Sequence, residues 1–161
     1  NGDIDLVNKN IKLIIVPHEV DKITINRLTK NILANHFSVT LFSEIIHDKS
    51  INVLIVDQVG FLADLYKYST AAYIGGGFSR GVHSVIEPAV YNNFIGFGPN
   101  IEMLDEAKEL LHTNLASQIF NSKDMINFLN LNCKENKKNE LQNFIFSKKN
   151  IVENILNIIL K

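Results

Sequence analysis

A chain of 161 residues with 46% hydrophobic composition is long enough to bury one substantial core and too short for two ordinary domains with a cleft between them. Its formal net charge of -1 supplies no basic field, which excludes nucleic acid as a main partner, and the single Cys133 excludes an internal disulfide and fits a reducing compartment. No run reaches the roughly 18 apolar residues of a membrane span, so any membrane contact is expected to be peripheral or to lie in other sequence.

The first residue is Asn1 and no signal pattern follows it, so the chain reads as one domain cut from a longer protein. Ile11-Lys12-Leu13-Ile14-Ile15-Val16, closed by Pro17, predicts a strand buried on both faces of a parallel sheet. Ile25, Leu28, Ile32 and Leu33 recur at helical spacing within 19–35 and give one apolar stripe. Strands follow at Val39 to Phe42 and at Asn52 to Val56, the latter turning at Asp57-Gln58-Val59-Gly60 into a helix through Leu62, Leu65 and Tyr66. Ala71 to Ile74 is the fourth strand, a helix runs from Ser84 to Tyr91, and Phe94 to Phe97 is the fifth strand, ended by Gly98-Pro99.

A helix from about Met103 to Leu111, a strand near Gln118 to Phe120, and helices after Ser122, near Leu141 and from Ile151 complete the chain. The last carries apolar residues around most of its circumference, so it either tucks into this domain or crosses to a neighbour. Lys134, Lys137, Lys138, Lys148 and Lys149 read as a solvated helix face. Alternation of strand and helix predicts a Rossmann-like α/β domain, a doubly wound parallel sheet of about six strands with helices on both faces. Ligands of such sheets bind at the carboxyl ends of the strands, where the loops at Pro17, Asp57 and Gly75 lie.

The stretch Gly75-Gly76-Gly77-Phe78-Ser79-Arg80-Gly81-Val82-His83-Ser84-Val85-Ile86-Glu87-Pro88 holds the chemistry. Glycines let a backbone approach a ligand closely, and amides at a helix start point toward an anion. One reading is purely structural: Ser84 and Glu87 form a capping box, and Pro88 is harmless in the first turn. The functional reading has the amides of Ser84 and Val85, with Gly76, Gly77 and Gly81, holding a phosphate while the Glu87 carboxylate accepts from ribose hydroxyls. Arg80, one of two arginines, suits charge stabilisation there.

Other motifs fail on their own terms. No Lys follows the last glycine as a triphosphatase P-loop requires, G-x-G-x-x-G is not matched, and there is no nucleophile elbow. His18, His36, His47, His83 and His112 show no metal-ligand spacing, so no metal is expected.

The run Gly75-Gly76-Gly77-Phe78 through Gly81-Val82-His83-Ser84-Val85-Ile86-Glu87-Pro88-Ala89, followed by Phe97-Gly98-Pro99-Asn100, resembles the 3-deoxy-D-manno-octulosonic acid (Kdo) transferases of lipopolysaccharide synthesis. Ile14-Ile15-Val16-Pro17-His18-Glu19 resembles that family's strand ending in Pro and a basic residue, and Asp57 through Leu62 its Asp-x-x-Gly-x-Leu segment. The resemblance spans about residues 11 to 112. Three positions differ from the family's pattern: Ser84 where Asn is common, His18 where many members have Arg, and Asn93-Phe94 in place of Gly-x-Pro.

The resemblance implies the C-terminal, donor-binding half of a GT-B glycosyltransferase that moves Kdo from CMP-Kdo to the lipid A precursor, with inversion and without a bound metal, at the cytoplasmic face of the bacterial inner membrane. It implies that Glu87 holds the ribose, that the Gly75 to Ser84 loop with His83 and Val85 holds the CMP phosphate, and that Val59-Gly60-Phe61 meets the cytosine edge through backbone groups. His18 is implied near the phosphate or the sugar carboxylate. The general base and the lipid acceptor belong to an N-terminal domain, so no catalytic residue is expected in this chain. A GT-B domain taking a UDP-sugar, and a non-catalytic nucleotide-binding module, are the alternatives.

Overall fold

The computed structural model describes residues 11–45, 51–79, 81–130 and 137–148. The chain divides into two compact units, Asn1–Leu62 and Ala63–Lys161. Hydrogen bonding groups the six strands as two three-stranded sheets, every pairing parallel.

The first unit contains β1 (Leu13–Ile15), α1 (Lys22–Ala34), β2 (Val39–Leu41) and β3 (Val53–Ile55), in the order β1-β3-β2. The deep burial expected of the first apolar run falls on the central strand instead, and there on one face. Val53 and Ile55 of β3 are buried, whereas Ile14 of flanking β1 is exposed. Helix α1 starts three residues later than the apolar stripe suggests because Asp21 stops it. Asp21 Oδ1 accepts from the amides of Ile23 (2.9 Å) and Thr24 (3.1 Å), an N-cap that satisfies first-turn donors.

After α2 (Leu62–Leu65), the second unit runs through a 3-10 turn (Tyr66–Tyr68), β4 (Ala71–Ile74), α3 (Ile86–Val90), β5 (Phe94–Phe97), α4 (Asp105–His112), β6 (Ala116–Gln118), α5 (Ser122–Asn130) and α6 over 137–148, with sheet order β4-β5-β6. All four residues of central β5 are buried. Their side chains alternate between two cores, as the pleat requires. Ile95 and Phe97 join Val85, Ala89, Ala107, Leu110, Leu141 and Phe144 on one face. On the other face, Phe94 stacks on Phe128 of α5 at 5.6 Å, and a Cβ on Gly96 would meet the same ring at 2.9 Å. Helices therefore cover both faces of this sheet, as a doubly wound arrangement demands.

Three helices end in one device. His36, Asn92 and Asn114 take positive φ (63°, 60° and 57°) after α1, α3 and α4. Each donates to the carbonyl three residues back, and the next residue donates to the carbonyl five back: Phe37 to Ile32, Asn93 to Pro88, Leu115 to Leu110. That paired pattern is a Schellman motif built on Asn and His in place of glycine.

Four sequence expectations need correction. The last strand lies at Ala116–Gln118, earlier than the Ile119-Phe120 pair suggests, because Ile119 is a core side chain and Phe120 is exposed. Ser84 and Glu87 do not make a capping box, since α3 begins at Ile86 with Val85 as its N-cap and no side-chain cap hydrogen bond. Two of the late lysines are half-buried and make specific contacts. Lys137 Nζ donates to Asn114 O (3.1 Å) and sits 4.8 Å over the Phe94 ring, while Lys148 pairs with Glu109, so α6 is pinned to the strand–helix layer before it. The fourth is that β1 is not buried on both sides. Arg80, His47, Cys133 and the helix from Ile151 lie outside the described residues, and among these residues no helix is long and apolar enough to cross a membrane.

Candidate functional site

Parallel pairing of Ile74 with Phe97 brings β4 and β5 to their carboxyl ends side by side, so Gly75 and Gly98 open two adjacent loops. The first loop folds back on itself. Gly76 O accepts from the amides of Ser79 (2.9 Å) and Gly81 (3.1 Å), with Gly76 at φ 91° and Gly81 at φ 108°. A Cβ at Gly76 would sit 2.2 Å from Gly81 O, so both torsion and space confine that position to glycine.

Gly77 is glycine for a different reason. A Cβ there would lie 2.6 Å from Gly98 Cα, and one on Gly98 would lie 2.7 Å from the Gly77 carbonyl carbon. The two backbones touch. Asn100 N donates to Gly77 O (2.8 Å), Val82 N to Asn100 O (3.2 Å), Asn100 Nδ2 to Ser79 O (2.9 Å) and Gln118 Nε2 to Pro99 O (3.1 Å). The glycine loop is thus fixed by the Gly98–Asn100 loop, which β6 in turn steadies. The Gly81 amide is engaged with Gly76 O, so this glycine's role within the fold is to shape the turn.

His83 and Ser84 follow on the exposed side, the His83 ring running past Gly76, with its Cδ2 3.6 Å from where a Cβ would stand. Val85 is fully buried and anchors the start of α3 in the core, while Glu87 in its first turn remains exposed. Burial, and then the nearby Glu87 charge, push the Tyr66 phenol above its ordinary pKa, so Glu87 and Tyr66 share one neighbourhood.

Asn93 organises this neighbourhood from beneath. Its side chain is completely buried. Its Nδ2 donates to Tyr66 O (2.9 Å) and Pro88 O (3.3 Å), and its Oδ1 accepts from the Ser69 hydroxyl, whose oxygen also lies 3.1 Å from Tyr66 O as an alternative acceptor for its one hydrogen. The carboxamide ties the turn before β4 to the helix that carries Glu87. Sequence reading marked Asn93 only as a departure from a family pattern; a buried carboxamide between two carbonyls has no local sequence signature.

In the first unit, His18 follows β1 and Val59-Gly60-Phe61 follows β3, at the carboxyl ends of a paired couple of strands. His18 and Val59 are exposed, Gly60 takes φ 95°, and Phe61 packs at a tilt on Phe42, centroids 5.0 Å apart. Asp57 holds this loop's base: it accepts from Ser43 N (3.0 Å) and Ser43 Oγ (2.5 Å), and the hydroxyl bond in particular lowers its pKa. Ser43 was not among the expected site residues. Among the described residues no group of three or more His, Cys, Asp or Glu side chains is placed to hold a metal ion.

No family model matches the chain. It is 31% identical over 159 residues to a 3-deoxy-D-manno-octulosonic acid transferase of Rickettsia prowazekii, a match that covers 91% of this chain and 34% of that protein. A transferase of the same name from Rickettsia bellii is 28% identical over 92% of this chain and 37% of its own length. A bifunctional glycosyltransferase/methyltransferase of Fusobacterium nucleatum is 28% identical over 95% of this chain and 24% of its own. The chain therefore spans about a third of the length of the curated relatives it matches.

Among solved structures, the C-terminal CMP-Kdo binding domain of WaaA from Acinetobacter baumannii superposes with a TM-score of 0.67 at 20% identity, covering 76% of this chain and 64% of that domain. The chain is a homologue of the 3-deoxy-D-manno-octulosonic acid transferases along nine tenths of its length, and its parallel α/β fold is that of the C-terminal domain of WaaA.

Proposed function

We propose that this chain is the donor-binding domain of an inverting glycosyltransferase that takes Kdo from CMP-Kdo and delivers it to a lipid A precursor at the cytoplasmic face of the inner membrane. The observation that carries the reading is the closed glycine loop at the carboxyl edge of the β4-β5-β6 sheet, on a fold shared with a CMP-Kdo binding domain. Both units contribute to one nucleotide-sugar-binding domain in this reading.

The roles follow from chemistry. Gly76 and Gly77 present bare backbone to the phosphate, His83 and Ser84 flank it, and the backbone at Ser84 and Val85 faces it. Arg80 adds a cation. Glu87 is exposed and acidic, which suits acceptance of two ribose hydroxyls. Gly60, with its neighbours Val59 and Phe61, meets the base, and His18 meets the phosphate or the sugar carboxylate.

When the glycosidic bond breaks, negative charge grows on the departing CMP phosphate, and donors fixed before the reaction stabilise it without reorganising. Activation of the acceptor hydroxyl belongs to the other domain, so this chain binds donor and transfers nothing by itself.

Calorimetry with CMP and UDP tests the reading. CMP is expected to bind and UDP to bind poorly, and Glu87→Ala is expected to weaken CMP about tenfold, near 1.4 kcal/mol, with the urea midpoint unchanged. UDP binding as tight as CMP assigns the site to a UDP-sugar enzyme. Silence toward both, or full affinity in the variant, refutes the assignment.

A further inference from the structure

The loop that holds the glycine loop shut has no assigned part in ligand binding, yet one residue in it makes most of the connection. Asn100 contacts the 77–82 segment at three separate points. Its amide donates to Gly77 O, its carbonyl accepts from Val82 N, and its side-chain Nδ2 donates to Ser79 O. These contacts lie on both sides of the tip formed by Phe78 and Ser79, which is exposed. Apart from the Ser79 amide, which donates to Gly76 O (2.9 Å), the tip's own side chains hold it weakly. The Ser79 hydroxyl approaches Gly76 O only at 3.5 Å, and the Phe78 ring is 61% exposed.

We infer that Asn100 is a positioning residue that latches the glycine loop in the conformation that receives the donor phosphate, a role that rests on the CMP-Kdo reading above. The latch acts through preorganisation. A loop with two glycines at positive φ has a wide choice of conformations when unrestrained, and a ligand that must first order it loses affinity by the free energy of ordering. The backbone bonds of Asn100 place the two loops together, and the side chain closes the tip. An Asn is suited to this because its Nδ2 gives a donor toward a carbonyl while adding no charge beside a bound anion. Asp at the same position would lose that donor and set a carboxylate near the phosphate.

The test uses Asn100→Ala and Asn100→Asp in this chain, with CMP as the probe and amide exchange of 76–82 as a ligand-independent readout. Because one side-chain hydrogen bond at an exposed tip is removed, Asn100→Ala is expected to speed exchange of the Ser79, Gly81 and Val82 amides and to weaken CMP by about fivefold. Asn100→Asp is expected to weaken CMP by about tenfold or more, and both variants keep the urea midpoint near that of the parent.

A role in general folding alone would move the midpoint and spread faster exchange through β4 and β5. Unchanged exchange in 76–82 overturns the latch. Faster exchange with unaltered CMP affinity overturns its service to the site. If the parent chain does not bind CMP, the nucleotide reading and this service to it are both overturned, while exchange still decides whether Asn100 latches the loop.

Discussion

Two loops follow parallel strands in this protein and both turn on a glycine at nearly the same torsion, Gly60 at φ 95° and Gly76 at φ 91°. They differ in what surrounds that glycine. A Cβ on Gly60 would meet nothing within 4 Å, whereas a Cβ on Gly76 would strike Gly81 O at 2.2 Å. The first loop needs glycine for torsion alone, and its neighbours Val59 and Phe61 are open to solvent. The second needs it for torsion and space together, and its next glycine is pressed against Gly98. One loop is therefore tethered at its base, through Asp57 and Ser43, and by the Phe61 ring on Phe42, and the other is clamped along its length. Under the proposed reading, a pocket that grips a compact, fully charged phosphate gains from the clamped kind, while recognition of a flat base edge by backbone groups tolerates the other.

The sharpest way to break that comparison is to add one methyl group at each position. Gly76→Ala combines an unfavourable torsion with collision against a backbone oxygen and is expected to cost about 3 to 5 kcal/mol. Gly60→Ala meets only the torsional penalty, about 1 to 2 kcal/mol. Urea unfolding of the two variants measures the gap. Equal losses would show that the contact between Gly76 and Gly81 is relieved by a small shift, and the clamp would then be a soft one.

Asn93 offers the next largest effect, since it steadies the clamped side from within. Asn93→Ala removes the donor to Tyr66 O and Pro88 O and the acceptor for Ser69. Both carbonyls keep another partner, Tyr66 O from Ser69 and Pro88 O from the Asn93 amide. The expected loss is therefore about 2 to 3 kcal/mol, less than three orphaned groups would give. A loss under about half a kcal/mol would mean that the turn before β4 and helix α3 hold their places without the carboxamide.

The comparison also explains how much of the molecule could be read in advance. β4 and β5 fell at their expected residues because apolar runs bounded by glycine and proline are local signals, and the glycine loop was legible for the same reason. The start of α3 was not. Ser84 and Glu87 have capping-box spacing, but Val85 is drawn into the core, which moves the helix start two residues on and leaves Ser84 outside it. The ends of α1, α3 and α4 fell within one residue of expectation, although the residues that close them, His36, Asn92 and Asn114, are not the glycines that usually signal such a stop. The clamp was unreadable too: Gly77 and Gly98 are 21 positions apart, and only sheet register brings them into contact. Asn100, Asn93 and Ser43 act through partners 21 to 27 or 14 positions away, beyond the reach of spacing rules.

The smallest expected effect belongs to the lightly tethered loop and reads its base through pH. Asp57 has a depressed pKa in the folded chain, mainly because the Ser43 hydroxyl donates to it, against an ordinary value of 3.8. A depressed folded-state pKa means the bond contributes stability at pH above that ordinary value, and the contribution disappears as acid protonates the carboxylate through its lower folded-state pKa. The group is well solvated, so the contribution is modest. Ser43→Ala is therefore expected to lower stability slightly at neutral pH and to flatten the acid limb of the stability curve, with parent and variant converging below the folded-state pKa of Asp57. Parallel curves for parent and variant, still separated at the acid end, would show that Ser43 supports the loop by packing and that the tether at Asp57 is not electrostatic.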